Sequence, residues 1–298
     1  MAAPTAPTAD TIVTEALNKA FKSNPSSTLV TRAKDYWLEE VKYDIATRCR
    51  KLKMLYTTSV LTLTEGQSRY SNPSDYLSDL EIDILYGTHY GTAQGGASGS
   101  ITLSASESVG ESSIIGKNIV VTSGTGENSM SQCTAYDSST KVATVTPNFA
   151  TAPTSGSGYM IIDSYHSLVQ KPIWDLSNTT QQTQQGRPSH YFPVGDADYG
   201  EFHLWPVPYT TDDRVYVARM RYYANLMTLD LTGTLISTFY QKARGLLVQG
   251  VLSKILQNDD DDRARIQEQR YQVMLQEFVA RETYGMDLSN LRCAVSDY

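Results

Sequence analysis

Apolar residues recur at two spacings along this chain, and the change of spacing divides it. Over 28–51, Val30, Ala33, Trp37, Val41, Ile45 and Cys49 form a four-residue stripe, with Lys34, Asp35, Glu39, Glu40 and Lys42 largely off it. That pattern predicts an amphipathic helix. A shorter helix is expected over 11–21, with Ile12, Ala16, Leu17 and Ala20 on one face and Asp10 as its cap. Ser23, Asn24 and Pro25 break it, and Ser26, Ser27 or Thr28 caps the longer one. Helical spacing returns near the other end. Ile236, Phe239, Tyr240, Ala243, Leu246, Leu247, Val251 and Ile255 predict a helix over 235–257. Ile266, Met274, Leu275, Phe278 and Val279 predict another over 261–283.

Between these ends the period falls to two. A strand is expected over 54–64. From 101 to 163 nearly every signal is strand or turn, with strands at 100–103, 118–123, 131–136, 141–146 and 159–162 and a tight turn at 137–140. Five short strands at this spacing suggest a small barrel or sandwich. The Gly/Ser-rich stretch 87–100 reads as a linker leading into it. A strand is expected over 166–174 and a loop over 178–186. The stretch 199–223 reads as strand, turn, strand. Phe202, Leu204 and Val207 alternate before the turn at 210–213, and Val215, Val217 and Met220 follow it. Pro206 and Pro208 lack backbone donors and belong at a strand end or edge.

The expected fold class is α+β: a helical bundle core from both chain ends, with a β-hairpin or sheet and an inserted small β-barrel or sandwich domain. Three parts follow. Residues 1–87 give N-terminal helices and a strand, 88–163 the inserted β domain, and 164–298 the hairpin, the C-terminal helices and a tail.

Composition narrows the function. The chain has 298 residues, 40% of them hydrophobic, which is enough for a sizeable core. No apolar run reaches the length of a membrane span. The first ten residues lack a basic start and an apolar core, so no signal peptide is expected and synthesis in a cytoplasm is. Cys49, Cys133 and Cys293 are far apart and odd in number, which favours free thiols. The net charge of -7 argues against a tight nucleic-acid binder, which usually shows a basic face. Twenty tyrosines against six phenylalanines suit interfaces and half-exposed sheets.

Candidate chemistry is sparse. His89, His166, His190 and His203 sit in separate segments, and Cys-x-x-Cys is absent, so no metal or other cofactor is expected. Gly96-Ala97-Ser98-Gly99 lacks the final glycine of a nucleophile elbow. Gly124-Thr125-Gly126 reads as a hairpin turn. The acidic run Asp259 to Asp262 stands at a helix start, where carboxylates satisfy free N–H groups. Arg263, Arg265 and Arg270 in the helix that follows mark a solvated or intersubunit face. Glu107, Glu111, Glu127 and Asp137 are the carboxylates a glycan hydrolase would draw on. The stretch 101–163 holds only Tyr136, Phe149 and Tyr159 as aromatics, thin for stacking sugars.

One order of elements is more specific. A strand ending Trp205-Pro206-Val207-Pro208, a turn, a strand ending Tyr222-Tyr223 and two helices follow one another. This order resembles the head-to-tail adaptor (connector) proteins of tailed bacteriophages, especially short-tailed ones, over most of the chain. Asn72-Pro73-Ser74-Asp75-Tyr76 after the N-terminal helices is similar to a segment of those adaptors. Residues 135–145, Ala-Tyr-Asp-x-x-Thr-Lys-Val-Ala-Thr-Val, are similar to inserted β domains of phage structural proteins.

The resemblance implies a non-enzymatic virion protein at the head–tail junction. It implies a homo-oligomeric ring of about twelve copies, placed between the portal protein and the tail nozzle or tail fibre proteins. Double-stranded DNA would pass through without specific binding, and no membrane is involved. The tail would dock on the portal through Leu288, Leu291, Val295 and Tyr298. The alternative is a glycan-binding or cell-wall-degrading virion module that uses the β insert, and a third possibility is an assembly chaperone that leaves the mature virion.

Overall fold

In a computed structural model the described residues are 7–20, 25–49, 51–87, 89–177, 184–194, 200–209, 216–229 and 234–284. The four-residue stripe near the N-terminus has a direct structural consequence. A strict four-residue repeat overshoots the 3.6-residue α-helical turn at every step. The chain absorbs the excess by running Ser27–Arg32 as α-helix, Ala33–Leu38 as π-helix and Glu39–Arg48 as α-helix again. Ala33, Val41, Ile45 and Cys49 are buried, but Trp37 of the same stripe is only half-buried, and Leu38 takes the core position in the π-helical stretch. Ser26 is the cap, its Oγ accepting from the Leu29 N–H. The preceding helix is Ala9–Lys19, capped by Thr8. Asp10 lies in its first turn and pairs with Lys34, which corrects the cap expected at Asp10.

The chain divides into two compact units. One comprises Met1–Thr57, Ser74–Ser78 and Tyr223–Tyr298, the other Thr58–Pro73 and Asp79–Tyr222.

The first unit contains the helices just described and two long ones, Thr234–Asn258 and Ala264–Tyr284. Thr234–Asn258 lies at its centre. Ile236, Phe239, Ala243, Leu247, Val251 and Ile255 are buried along it. Arg244 reaches Glu15 at 2.8 Å, and Lys254 reaches Glu40 at 2.5 Å. Gly250 admits both neighbouring helices closely, since a Cβ there would lie 2.8 Å from Tyr271 Cε2 and 2.8 Å from Val41 Cγ1. On Ala264–Tyr284, Tyr271, Leu275 and Phe278 are buried. Ile266, expected on that core stripe, is 52% exposed. It stands two residues inside the helix start, one turn short of the point where Tyr271 begins the buried row.

The second unit is built on sheets. The largest has seven antiparallel strands in the order His89–Thr92, Gly158–Ile161, Asn118–Ser123, Met130–Asp137, Val142–Thr146, Ser100–Thr102 and Gly95–Ala97. All five expected strands are present. Two more fall in the stretch read as a linker, which is therefore part of the sheet. Glycine serves close packing there: a Cβ at Gly87 would run into the Ile161 carbonyl oxygen, and one at Gly96 would lie 2.9 Å from Pro153 Cγ. The two edge strands do not pair with each other, so the sheet does not close into a barrel. Ile101, Leu103, Ile119, Val121, Cys133, Tyr136, Val145, Phe149, Tyr159 and Ile161 share one core.

The expected hairpin at 199–223 is also corrected. Glu201–Trp205 pairs with His190–Val194 and with Arg69–Ser71. Val217–Ala224 lies between Tyr56–Thr62 and Tyr76–Tyr86 in a separate four-stranded sheet, whose other edge is Ser164–Ser167. Pro206 has no N–H to continue the ladder. Beyond it, Val207–Pro208 pairs instead with Gln185–Gly186. The expected turn at 210–213 lies outside the described residues. The strand expected over 166–174 is two short strands, Ser164–Ser167 and Val169–Gln170, and a one-turn helix, Ile173–Ser177. No helix among the described residues is long and apolar enough to cross a membrane.

Candidate assembly surfaces

Leu288, Leu291, Val295 and Tyr298 lie outside the described residues. Two other surfaces stand out, both in the helical unit. On the helix through Ala33–Leu38, Tyr36 is 68% exposed and Tyr43 61% exposed. They stand seven residues apart, opposite the buried Val41 and Ile45. Glu39 and Glu40 lie between them, and Arg32 precedes them by one turn. Beside this row, Ser27, Thr28, Thr31, Arg32, Asp35 and Trp37 help to line an open groove.

On Ala264–Tyr284, Ile266 and Val273 are 52% and 48% exposed, again seven residues apart and opposite buried Tyr271 and Leu275. Gln269 and Arg270 lie between them. Arg270 is exposed and makes no ion pair with another described residue. Sequence reasoning singled out the arginines of this helix but not Tyr36 or Tyr43. The signal was available: both tyrosines fall off the four-residue stripe and repeat at the heptad spacing of a second face.

Three of the four carboxylates named in the β insert, Glu107, Glu111 and Asp137, are committed to loops, and the fourth, Glu127, is exposed. Glu107 is 8% exposed. Its Oε2 accepts from the Tyr159 hydroxyl at 2.8 Å; its Oε1 meets His89 Nδ1 at 2.7 Å and accepts from the Ser108 and Val109 N–H groups. Burial pushes this carboxyl up, but the bonds from Tyr159, His89 and Val109 outweigh it and hold it below the usual range. Glu111 accepts from the Ser138 N–H and hydroxyl. Asp137 caps the turn before Lys141, accepting from Ser139 and Thr140, which brings it down to about 2. Tyr136, Phe149 and Tyr159, the aromatics a sugar platform would need, are 6%, 3% and 1% exposed and belong to the core.

Asp83 organises a second polar cluster on the four-stranded sheet. It is fully buried, and its carboxylate accepts from Ser167 Oγ at 2.6 Å and from Arg219 Nη2 at 2.7 Å. Arg221 Nη2 lies 3.2 Å away and also reaches Glu81. Burial opposes ionisation, yet Ser167, Arg219 and Arg221 together lower its pKa. Arg219 stacks over Tyr165, and Arg187 over Tyr86 at 4.2 Å. Arg221 Nε is buried without a hydrogen-bond partner among the described residues; the other charged groups are paired, so the cluster orders the sheet rather than presenting free charge.

A family model described as SU10 adaptor protein matches residues 117–291, more than half of the chain. No curated protein matches it.

Proposed function

Since the chain belongs to the SU10 adaptor protein family, we propose that it completes the phage head as a ring between portal and tail nozzle. As a phage adaptor it is a structural component of the virion. About twelve copies stack beneath the portal, in a phage of the short-tailed kind, and DNA passes through the ring without specific binding. The unit holding helices from both chain ends is the bundle that builds the ring. The β insert, 88–163, faces outward or tailward. The tail residues Leu288, Leu291, Val295 and Tyr298 dock on the portal.

The observation that carries this proposal is the family match, which runs from the β insert through both C-terminal helices. The disposition of the polar groups supports a structural rather than catalytic role. Glu107, Glu111 and Asp137 each hold a loop or turn in place. The acidic balance supports passage of DNA, because a lining rich in Lys and Arg would release counterions and grip the duplex.

Protein analysis of purified virions tests the proposal. The chain should be present in mature particles at about the portal's copy number. Absence from mature particles would instead favour an assembly chaperone. Removal of 286–298 should abolish capture by immobilised portal rings; undiminished capture would exclude the tail as the docking arm.

A further inference from the structure

The two exposed helical faces match one another in spacing and charge. Each carries a pair of apolar side chains one heptad apart, which is about 10 Å along a helix at 1.5 Å per residue. Tyr36 and Tyr43 flank Glu39 and Glu40, whereas Ile266 and Val273 flank Gln269 and Arg270. The charges beyond each pair also oppose. Arg32 lies one turn before Tyr36; Asp262 stands in the turn that leads into the second helix, four residues before Ile266, and Glu277 lies one turn after Val273. Laid along each other in either direction, the faces put apolar on apolar, Glu39 and Glu40 near Arg270, and Arg32 near an acid.

Either face against its own copy would set like charges together. Opposed charges across an interface select the partner and its register. Resting on the ring proposed above, we propose that neighbouring subunits meet here: the Tyr36–Tyr43 face of one copy packs against the Ile266–Val273 face of the next. A contact between two different faces of identical subunits is heterologous; such contacts form rings where the rotation closes and filaments where it does not. The π-helical stretch Ala33–Leu38 carries Tyr36, and such interruptions often mark functional positions. The faces are already held in place. Glu40 is bridged to Lys254 and Glu39 to Lys42, so little order need be gained on contact.

Two full-length variants test this, one with Tyr36→Ser and Tyr43→Ser, the other with Ile266→Ser, Arg270→Glu and Val273→Ser. All five positions are exposed, and circular dichroism melting checks that both variants fold as the wild type does. Native mass spectrometry is run on the wild type, each variant and the mixture, alone and with portal rings. Each variant alone should lose association with its own copies by on the order of 100-fold. Their mixture should give a one-to-one heterodimer and nothing larger, because each variant keeps the face the other has lost. A variant that assembles as well as a ring-forming wild type would overturn the interface while leaving the ring intact. Two folded, monomeric variants that fail to pair would also overturn it. A wild type that forms no oligomer, alone or on the portal, would overturn both the interface and the ring.

Discussion

The hydroxyl of Tyr271 donates a 2.9 Å hydrogen bond to Asp44 Oδ2, joining a C-terminal helix to an N-terminal one across 227 positions of sequence. Tyr271 is 1% exposed. Burial, the bond to Asp44 and the carboxylate charge all push its hydroxyl well above the usual tyrosine range, so it remains a donor at any pH the protein meets. Asp44 also pairs with Arg48 at 2.9 Å, which holds it in place. Tyr271→Phe should retain the ring packing and lose this bond. The expected cost is about 1.5–2 kcal/mol, because the acceptor is a carboxylate, read as a lower urea midpoint with an unchanged slope.

Two glycines of the central helix should respond in opposite directions. At Gly245 an added Cβ would meet Met274 Cε at 3.6 Å, an ordinary contact. Gly245→Ala should therefore stabilise by up to about 1 kcal/mol through helix propensity. At Gly250 the same methyl would meet Tyr271 and Val41 at 2.8 Å. The overpacking cost of about 1–3 kcal/mol exceeds the propensity gain. Gly250→Ala should lower the melting temperature where Gly245→Ala raises it.

Asp83 should govern part of the acid response of the sheet unit. Its folded pKa lies below the ordinary aspartate value of about 3.9. The folded state therefore binds the proton less readily than the unfolded state. The stabilisation is complete above the unfolded value and is lost as pH falls through the lowered folded one. Asp83→Asn should cost about 3 kcal/mol near neutral pH by leaving Arg219 and Arg221 without their buried anion. It should also flatten the stability profile between about pH 5 and pH 2. Urea midpoints across that range for both proteins check each part; parallel profiles would show that another carboxylate governs the acid limb.

Cys49 and Cys133 are both buried, and burial pushes the Cys133 thiol up. Iodoacetamide should modify neither in the native protein at pH 7.5 within the time that labels a free peptide thiol. Both should react once urea unfolds the chain, and peptide mass spectrometry locates the label.

The helices and the five strands of 101–163 were legible because each has one buried face, which imposes a period on its own residues. Strand partners were not. The alternation at Phe202 and Leu204 marks a buried face, but it says nothing of pairing with Tyr70 and Tyr191 rather than with the next strand. The glycines at 87–100 signalled freedom, while the fold uses Gly87 and Gly96 for close approach. The two helical faces escaped notice for a different reason. Tyrosine and isoleucine off a core stripe look like ordinary surface or core residues until exposure is known, and Ile266 was assigned to the core by period alone.

Native mass spectrometry of the purified chain, alone and with portal rings, tests the central claim most directly. The account predicts a portal-dependent or free-standing assembly of about twelve copies. A chain that stays monomeric at every concentration and ignores the portal would contradict it.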